Sequence, residues 1–206
     1  MIDARGLIAC GIQPTQAKAF APVLQAVFER FGIATLEQRA GFVAQASHES
    51  HGFTLLEEAL WYRSGARIYE VFKRLRPMGA PALEAYAKNP QGLANLAYTN
   101  VNGNGLEASG DGWRYRGSGI FQLTGRDNFR RAGAALGRAY VEQPELVRTN
   151  SEDAVLTAGW FWSTNGLNAL MAAGKIDQCS TKINGGLNGI EERRRLYTDC
   201  LAALKP

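Results

Sequence analysis

Helical periodicity runs along almost the whole chain and is broken once at length; that pattern restricts the fold more than any other feature. In "PTQAKAFAPVLQAVFERFG" (14–32), apolar residues recur at helical spacing up to Gly32, a glycine placed to end the helix. Thr35, with Gln38 three residues on, reads as a capping box opening "TLEQRAGFVAQASHES", whose buried stripe is Leu36, Ala40, Val43 and Ala44. The same period predicts helices over 64–74, 81–88, 126–136, 152–163 and 190–204, with Ser151 as an N-cap and Gly137 as a stop. The break is "TNVNGNGLEASGDGWRYRGSGIFQLTG" (99–125), rich in Gly and Asn. Its aromatic residues argue for a functional loop rather than disorder. A mainly α fold is expected, with at most a short β-hairpin near 113–123.

A chain of 206 residues can bury a substantial core, and 46% apolar with 20% charged residues is ordinary globular composition. Neither a repeat nor a linker divides it, so residues 1–206 are expected to form a single domain. The pI of about 9.1 implies mild attraction to polyanions such as nucleic acid, anionic lipid or wall polymers. A solvated basic surface is the simpler reading. "MIDARGLIAC" lacks the apolar core of a secretory leader, and "AVLTAGWFW" (154–162) is far short of the ~20 residues a membrane span needs. Synthesis in the cytoplasm without stable membrane association is therefore expected. Cys10, Cys179 and Cys200 are odd in number and far apart, which predicts buried reduced thiols rather than a disulfide framework. The two histidines of "HESH" are three apart where a zinc-binding helix needs four, so neither metal nor cofactor is expected.

"AQASHESHGF" (44–53) puts Glu49 in a last helical turn before Gly52, and Glu58 follows nine residues later. Two carboxylates across a groove are what glycosidic cleavage needs: one protonated to serve the leaving oxygen, one ionised to activate water or attack. A neutral Glu49 would require a partly apolar pocket, which the Ala/Val/Phe-rich helix can supply. Read alone, Glu58 fits an exposed structural role better than a catalytic one, and Glu57 reads as its solvated neighbour. His48 precedes Glu49 and points about 100° away on a helix, which suits a structural hydrogen-bonding residue better than a base. The segment 110–129 interleaves Trp113, Tyr115 and Phe121 with Arg114 and Arg116, then presents Gln122, Thr124 and Asn128. Flat rings stack on sugar faces, and amides and hydroxyls match sugar substituents. A buried loop core with its arginines in solvent remains an equal alternative.

"HES" (48–50), "GDGWRYRGSGIFQLTGRDNF" (110–129) and "INGG" (183–186), with "ERRRLY" (192–197), resemble the motifs of glycoside hydrolase family 19, most closely its phage endolysin branch. The resemblance runs in order from about residue 35 to the C-terminus. It implies a lysozyme-like fold with two helical lobes and a substrate groove, and an inverting single displacement. It also implies Glu49 as general acid, Glu58 as general base and Thr124 as holder of the attacking water. His48, Trp113, Tyr115, Gln122, Asn128, Asn184 and Arg193 are the implied substrate-side residues, with Arg193 organising the carboxylates. The implied substrate is the peptidoglycan glycan strand, and the implied actor a monomer that reaches the wall by a holin-dependent route. Ser118 and Val101 depart from arginines common in related endolysins. Chitin hydrolysis and lytic transglycosylation through Glu49 alone ("GIFQ" resembles its G-x-x-Q element) are the competing enzymatic readings. A wall- or nucleic-acid-binding module is the non-enzymatic one, though it has no use for a carboxylate pair.

Overall fold

Helices begin where the sequence supplies caps. Asp3 accepts a hydrogen bond from the Gly6 N–H to open α1 (Ala4–Ala9). Pro14 starts α2 (Pro14–Arg30), a position where its missing N–H has no intrahelical acceptor to lose. The capping box of Thr35 and Gln38 forms as predicted and opens α3 (Leu36–Glu49). The computed structural model describes residues 2–205.

The predicted helix over 64–74 is α4 (Gly65–Val71) followed by a 3-10 turn at Lys73–Met78, since Phe72 leaves helical geometry at ψ 85°. Likewise 81–88 resolves into the single turn of α5 (Ala80–Leu83) and a 3-10 turn at Glu84–Tyr86. The short α6 (Pro90–Ala97) was not anticipated. Within the Gly- and Asn-rich break lie a 3-10 turn (Glu107–Ser109) and the one-turn α7 (Asp111–Arg114). The expected hairpin is reduced to isolated bridges joining Ser118 to Leu123 and to Glu57. Helix α8 (Arg126–Leu136) has the predicted bounds and ends in left-handed Gly137. Then follow α9 (Leu146–Thr149), α10 (Ser151–Thr164), α11 (Leu167–Ala172), α12 (Ile176–Asn184) and α13 (Ile190–Ala203). The N-cap of α10 is Asn150 rather than Ser151, its side chain accepting from the Glu152 and Asp153 N–H groups.

The chain forms two compact units, one of residues 1–56, 119–121 and 145–206, the other of 57–118 and 122–144. In the first, Phe42 of α3 touches Phe28, Trp162 and Phe121 at ring distances of 5.4, 5.1 and 5.8 Å. Helix α13 packs along α3, and α11 also contacts it, so residues 40–47 are buried on every side rather than along one stripe. The second unit closes over Ile68, Leu75, Leu83, Leu93 and Ala97, with Tyr62 edge-on to Phe72 at 5.5 Å. Among the described residues no helix is long and apolar enough to cross a membrane.

Candidate active site

Glu49 closes α3 in the first unit, one helical turn after Gln45 on the same face. That spacing lets one guanidinium serve both. Arg193 of α13 donates from Nη2 to Glu49 Oε1 at 2.5 Å, from Nη1 to Gln45 Oε1, and from Nε to the Asn188 carbonyl at 3.3 Å. Gln45 in turn donates to Ser180 Oγ at 2.7 Å, and Ser180 to the Ile176 carbonyl. Arg193, Gln45 and Ser180 are all buried, so each polar atom in this chain must find a partner inside the protein. The surroundings of Glu49 thus include a buried guanidinium that the sequence reading of a partly apolar pocket did not contain. Gln45 and Ser180 escaped sequence reading. The available signal was a glutamine one turn before Glu49 in an otherwise small and apolar run.

Consecutive residues of α13 meet consecutive residues of α3. His48 Nδ1 lies 2.8 Å from Glu192 Oε2, though without the alignment of a good hydrogen bond. The ring fills space beside Gly189, where an added Cβ would lie 2.4 Å from Cε1. His48 thus meets Glu192 and Gly189 rather than Arg193. The amide of Asn184, expected to bind substrate, is engaged at both ends in its own turn. Its Oδ1 accepts from the Gly186 N–H and its Nδ2 donates to the Asn188 carbonyl, the carbonyl that also receives Arg193.

Glu58 lies in the second unit, in an extended segment whose Glu58 N–H bonds the Gly117 carbonyl. Both of its carboxylate oxygens are held: Tyr98 donates its hydroxyl to Oε1 at 2.5 Å, and the Gly117 N–H reaches Oε2 at 3.2 Å. Burial, and then the charge of Glu58, push the Tyr98 phenol far above its ordinary value, so it remains a donor. Gly117 is required by close approach. A Cβ there would lie 2.5 Å from Gln122 Oε1 and 3.0 Å from the Glu58 Cβ. Gln122, in the left-handed region at φ 50°, begins a turn in which Thr124 donates to the Gln122 carbonyl and Asn128 to the Thr124 carbonyl. The predicted Gln122, Thr124 and Asn128 thus form one cluster, joined to Glu58 through Gly117. Tyr98 was not predicted.

The remaining loop residues divide between surface and core. Glu57 is not simply solvated; it pairs with Arg116, whose buried guanidinium also donates to the Trp113 carbonyl and lies 3.7 Å from the Trp113 ring centroid. Trp113 stays half-buried. Tyr115 is buried, donates its hydroxyl to the Val141 carbonyl and packs on Phe129, so the sugar-stacking role expected of it is excluded. Phe121 belongs to the aromatic core of the first unit. Ser118 is buried and donates to the Arg116 carbonyl.

The sequence profile described as "Chitinase class I" matches residues 80–176. A glycosyl hydrolase family 19 domain-containing protein of Haemophilus influenzae is 40% identical over 186 residues, covering 90% of each chain. The chain belongs to glycoside hydrolase family 19. Acidic endochitinase Q of Nicotiana tabacum is 47% identical over 51 residues, a quarter of this chain and a fifth of that protein. Chitinase C from Streptomyces griseus superposes with a TM-score of 0.56 at 21% identity, over 89% of this chain and 67% of the other. A bacterial family 19 chitinase does so at 0.57 and 21%, over 89% and 85%. These structures share the lysozyme-like helical fold. The protein is accordingly a family 19 glycosidase, a chitinase-like enzyme whose substrate class is a glycan.

Proposed function

We propose that this family 19 glycosidase is an endolysin that hydrolyses β-1,4 bonds between N-acetylated amino sugars of bacterial peptidoglycan. In this reading Glu49 protonates the leaving oxygen while Glu58 deprotonates a water attacking the anomeric carbon from the opposite face, inverting it in one displacement. Thr124 helps hold that water, and Trp113, Gln122 and Asn128 contact the sugars. The observation that carries the reading is that each of the two carboxylates has its own fixed donor set. Glu49 is bound by Arg193, and Glu58 by Tyr98 and the Gly117 N–H. Carboxylates oriented in this way have lost their rotational freedom before substrate arrives, which is what positioned acid–base catalysis demands. The phage-type motif at 110–129, the nine-residue spacing of the glutamates and the basic pI favour the anionic bacterial wall, reached by a holin-dependent route. The chain acts as a monomer.

The second reading, chitin hydrolysis, is favoured by the chitinase names of the relatives. Product analysis on purified peptidoglycan and on colloidal chitin tests both. Reducing N-acetylated sugar ends released from peptidoglycan, initially as the inverted anomer, are expected. 1,6-anhydro ends would mark a lytic transglycosylase, and release from chitin alone would replace the wall assignment. Glu49→Gln keeps an acceptor for Arg193 but has no acidic proton to give. Wild-type lysis by that variant, well folded, would remove Glu49 from the mechanism.

A further inference from the structure

The first and last helices of the first unit lie side by side, and their register pairs two of the three cysteines. Gly6 of α1 approaches Leu204, just beyond α13, so closely that a Cβ on it would lie 2.9 Å from Leu204 Cδ2. One helical turn forward from Gly6 is Cys10, and one turn back from Leu204 is Cys200, the relation of antiparallel neighbours. Both thiols are buried, and each meets the other: Cys10, by hydrogen bonding, is the first influence on the Cys200 thiol. Cys179 on α12 has a different environment, dominated by burial and then by the charge of Arg193.

We propose that Cys10 and Cys200 are a disulfide-forming pair that ties α1 to α13 once a disulfide oxidant is present. The oxidant is of the glutathione-disulfide class or an exposed protein disulfide. The thiolate of one cysteine attacks the oxidant's disulfide, forming a mixed disulfide and expelling one thiolate. The second cysteine, after losing its own proton, attacks the mixed sulfur, closes the Cys10–Cys200 bond and expels the second thiolate. Two protons and two electrons leave the protein, and the oxidant is reduced to two thiols. Hydrogen bonding with Cys10, and then burial, raise the Cys200 thiol well above its ordinary value, so closure is slow in the fully packed protein. It proceeds when α1, only six residues long, lifts locally from α13. The tie bears on the site as well. Arg193, Leu196 and Cys200 are the buried residues of α13, so the bond anchors the far end of the same stripe that presents Arg193 to Glu49. This inference does not depend on which glycan is cut.

The test uses the full chain, treated natively with oxidised glutathione and, in parallel, refolded in a glutathione redox buffer. Expected are loss of two hydrogen atoms by intact mass, free thiols falling from three to one, and a proteolytic fragment joining the Cys10 and Cys200 peptides. Closing almost the whole chain into one loop should raise the thermal midpoint by about 10 °C over the dithiothreitol-treated protein. Cys179→Ser should behave like the unmodified chain and Cys10→Ser should not respond. An unchanged mass after both treatments, or a linkage through Cys179, overturns the pairing. A bond that forms without raising the midpoint overturns the stabilising tie. The comparison with and without dithiothreitol needs no variant, so it stands even if Cys10→Ser folds poorly.

Discussion

Removing the carboxylate of Glu49 should destabilise the protein more than removing its partner, because the two ends of the ion pair are unequally buried. The Arg193 side chain is 2% exposed and that of Glu49 19%. In Glu49→Ala the guanidinium keeps the Gln45 oxygen and the Asn188 carbonyl but loses the carboxylate that balances its charge. A buried charge deprived of its partner costs roughly 3–5 kcal/mol, and the two surviving hydrogen bonds place this case near about 3 kcal/mol. Arg193→Met leaves a carboxylate open enough to recover water. Its main penalty is the buried Gln45 oxygen without a donor, roughly 1–3 kcal/mol, partly offset by the apolar replacement. The double variant should lose less than the two single losses added together, since neither buried charge then remains. At roughly 2–4 °C per kcal/mol for a chain of this size, Glu49→Ala should lower the thermal midpoint by about 6–12 °C. Urea unfolding followed by circular dichroism on the four proteins closes the cycle. A Glu49→Ala protein within about 1 kcal/mol of the parent, or an Arg193→Met loss larger than it, would refute the argument from unequal burial.

Tyr98→Phe removes the hydroxyl that fixes Glu58 and should cut glycan hydrolysis about tenfold or more, while costing only about 1 kcal/mol of stability in a melt. Gly117→Ala sets a methyl 2.5 Å from Gln122 Oε1 and 3.0 Å from the Glu58 Cβ, so turnover should fall sharply. The midpoint should shift little, because the crowded glutamine atom ends a flexible side chain. In Gly65→Ala the obstacle is backbone, with the Glu84 nitrogen at 2.4 Å and the Ala80 carbonyl oxygen at 2.5 Å, and the melt should show the loss directly. Burial pushes the Cys179 thiol up to about 12. Between about pH 9 and 12 only the unfolded chain gives up that proton, so stability that is complete below about pH 9 declines by roughly 1.4 kcal/mol per pH unit across this window. Urea titrations of Cys179→Ala should lack that increment of slope; an identical decline in both proteins would assign it to other groups.

What the sequence could disclose was decided by distance along the chain. The capping box at Thr35, the stop at Gly137 and the bounds of α8 depend on residues within one or two turns of each other, and all were legible. Helices α1, α6, α9, α11 and α12 are too short for a period of 3.6 to repeat convincingly. Glu49 and Arg193 were legible as motif residues, and the family resemblance implied that Arg193 organises the carboxylates, but no local pattern joined the two. Their contact, like the one between Gln45 and Ser180, joins segments far apart in sequence, and the glutamine's place in an apolar run does not name its partners.

The Gly-rich segment shows the same division in its sharpest form. Trp113, Tyr115 and Phe121 share one composition and one stretch of chain, and stacking on sugar or burial in a core fits all three before folding. Tertiary partners separate them. Val141 supplies a carbonyl to the Tyr115 hydroxyl, Phe42 and Trp162 enclose Phe121, and Trp113 retains solvent beside Arg116. Local sequence can say that such a loop is rich in rings and still not say which ring is left for a ligand. Trp113 stays half-buried, and Glu57, read from sequence as a bystander, holds the arginine that lies against its ring. Replacing Glu57 by Gln should therefore weaken glycan binding through Trp113 without touching either candidate catalytic carboxylate. The expected result is a raised KM at nearly constant kcat; a fall in kcat alone would mean that the Glu57–Arg116 pair serves Glu58 instead.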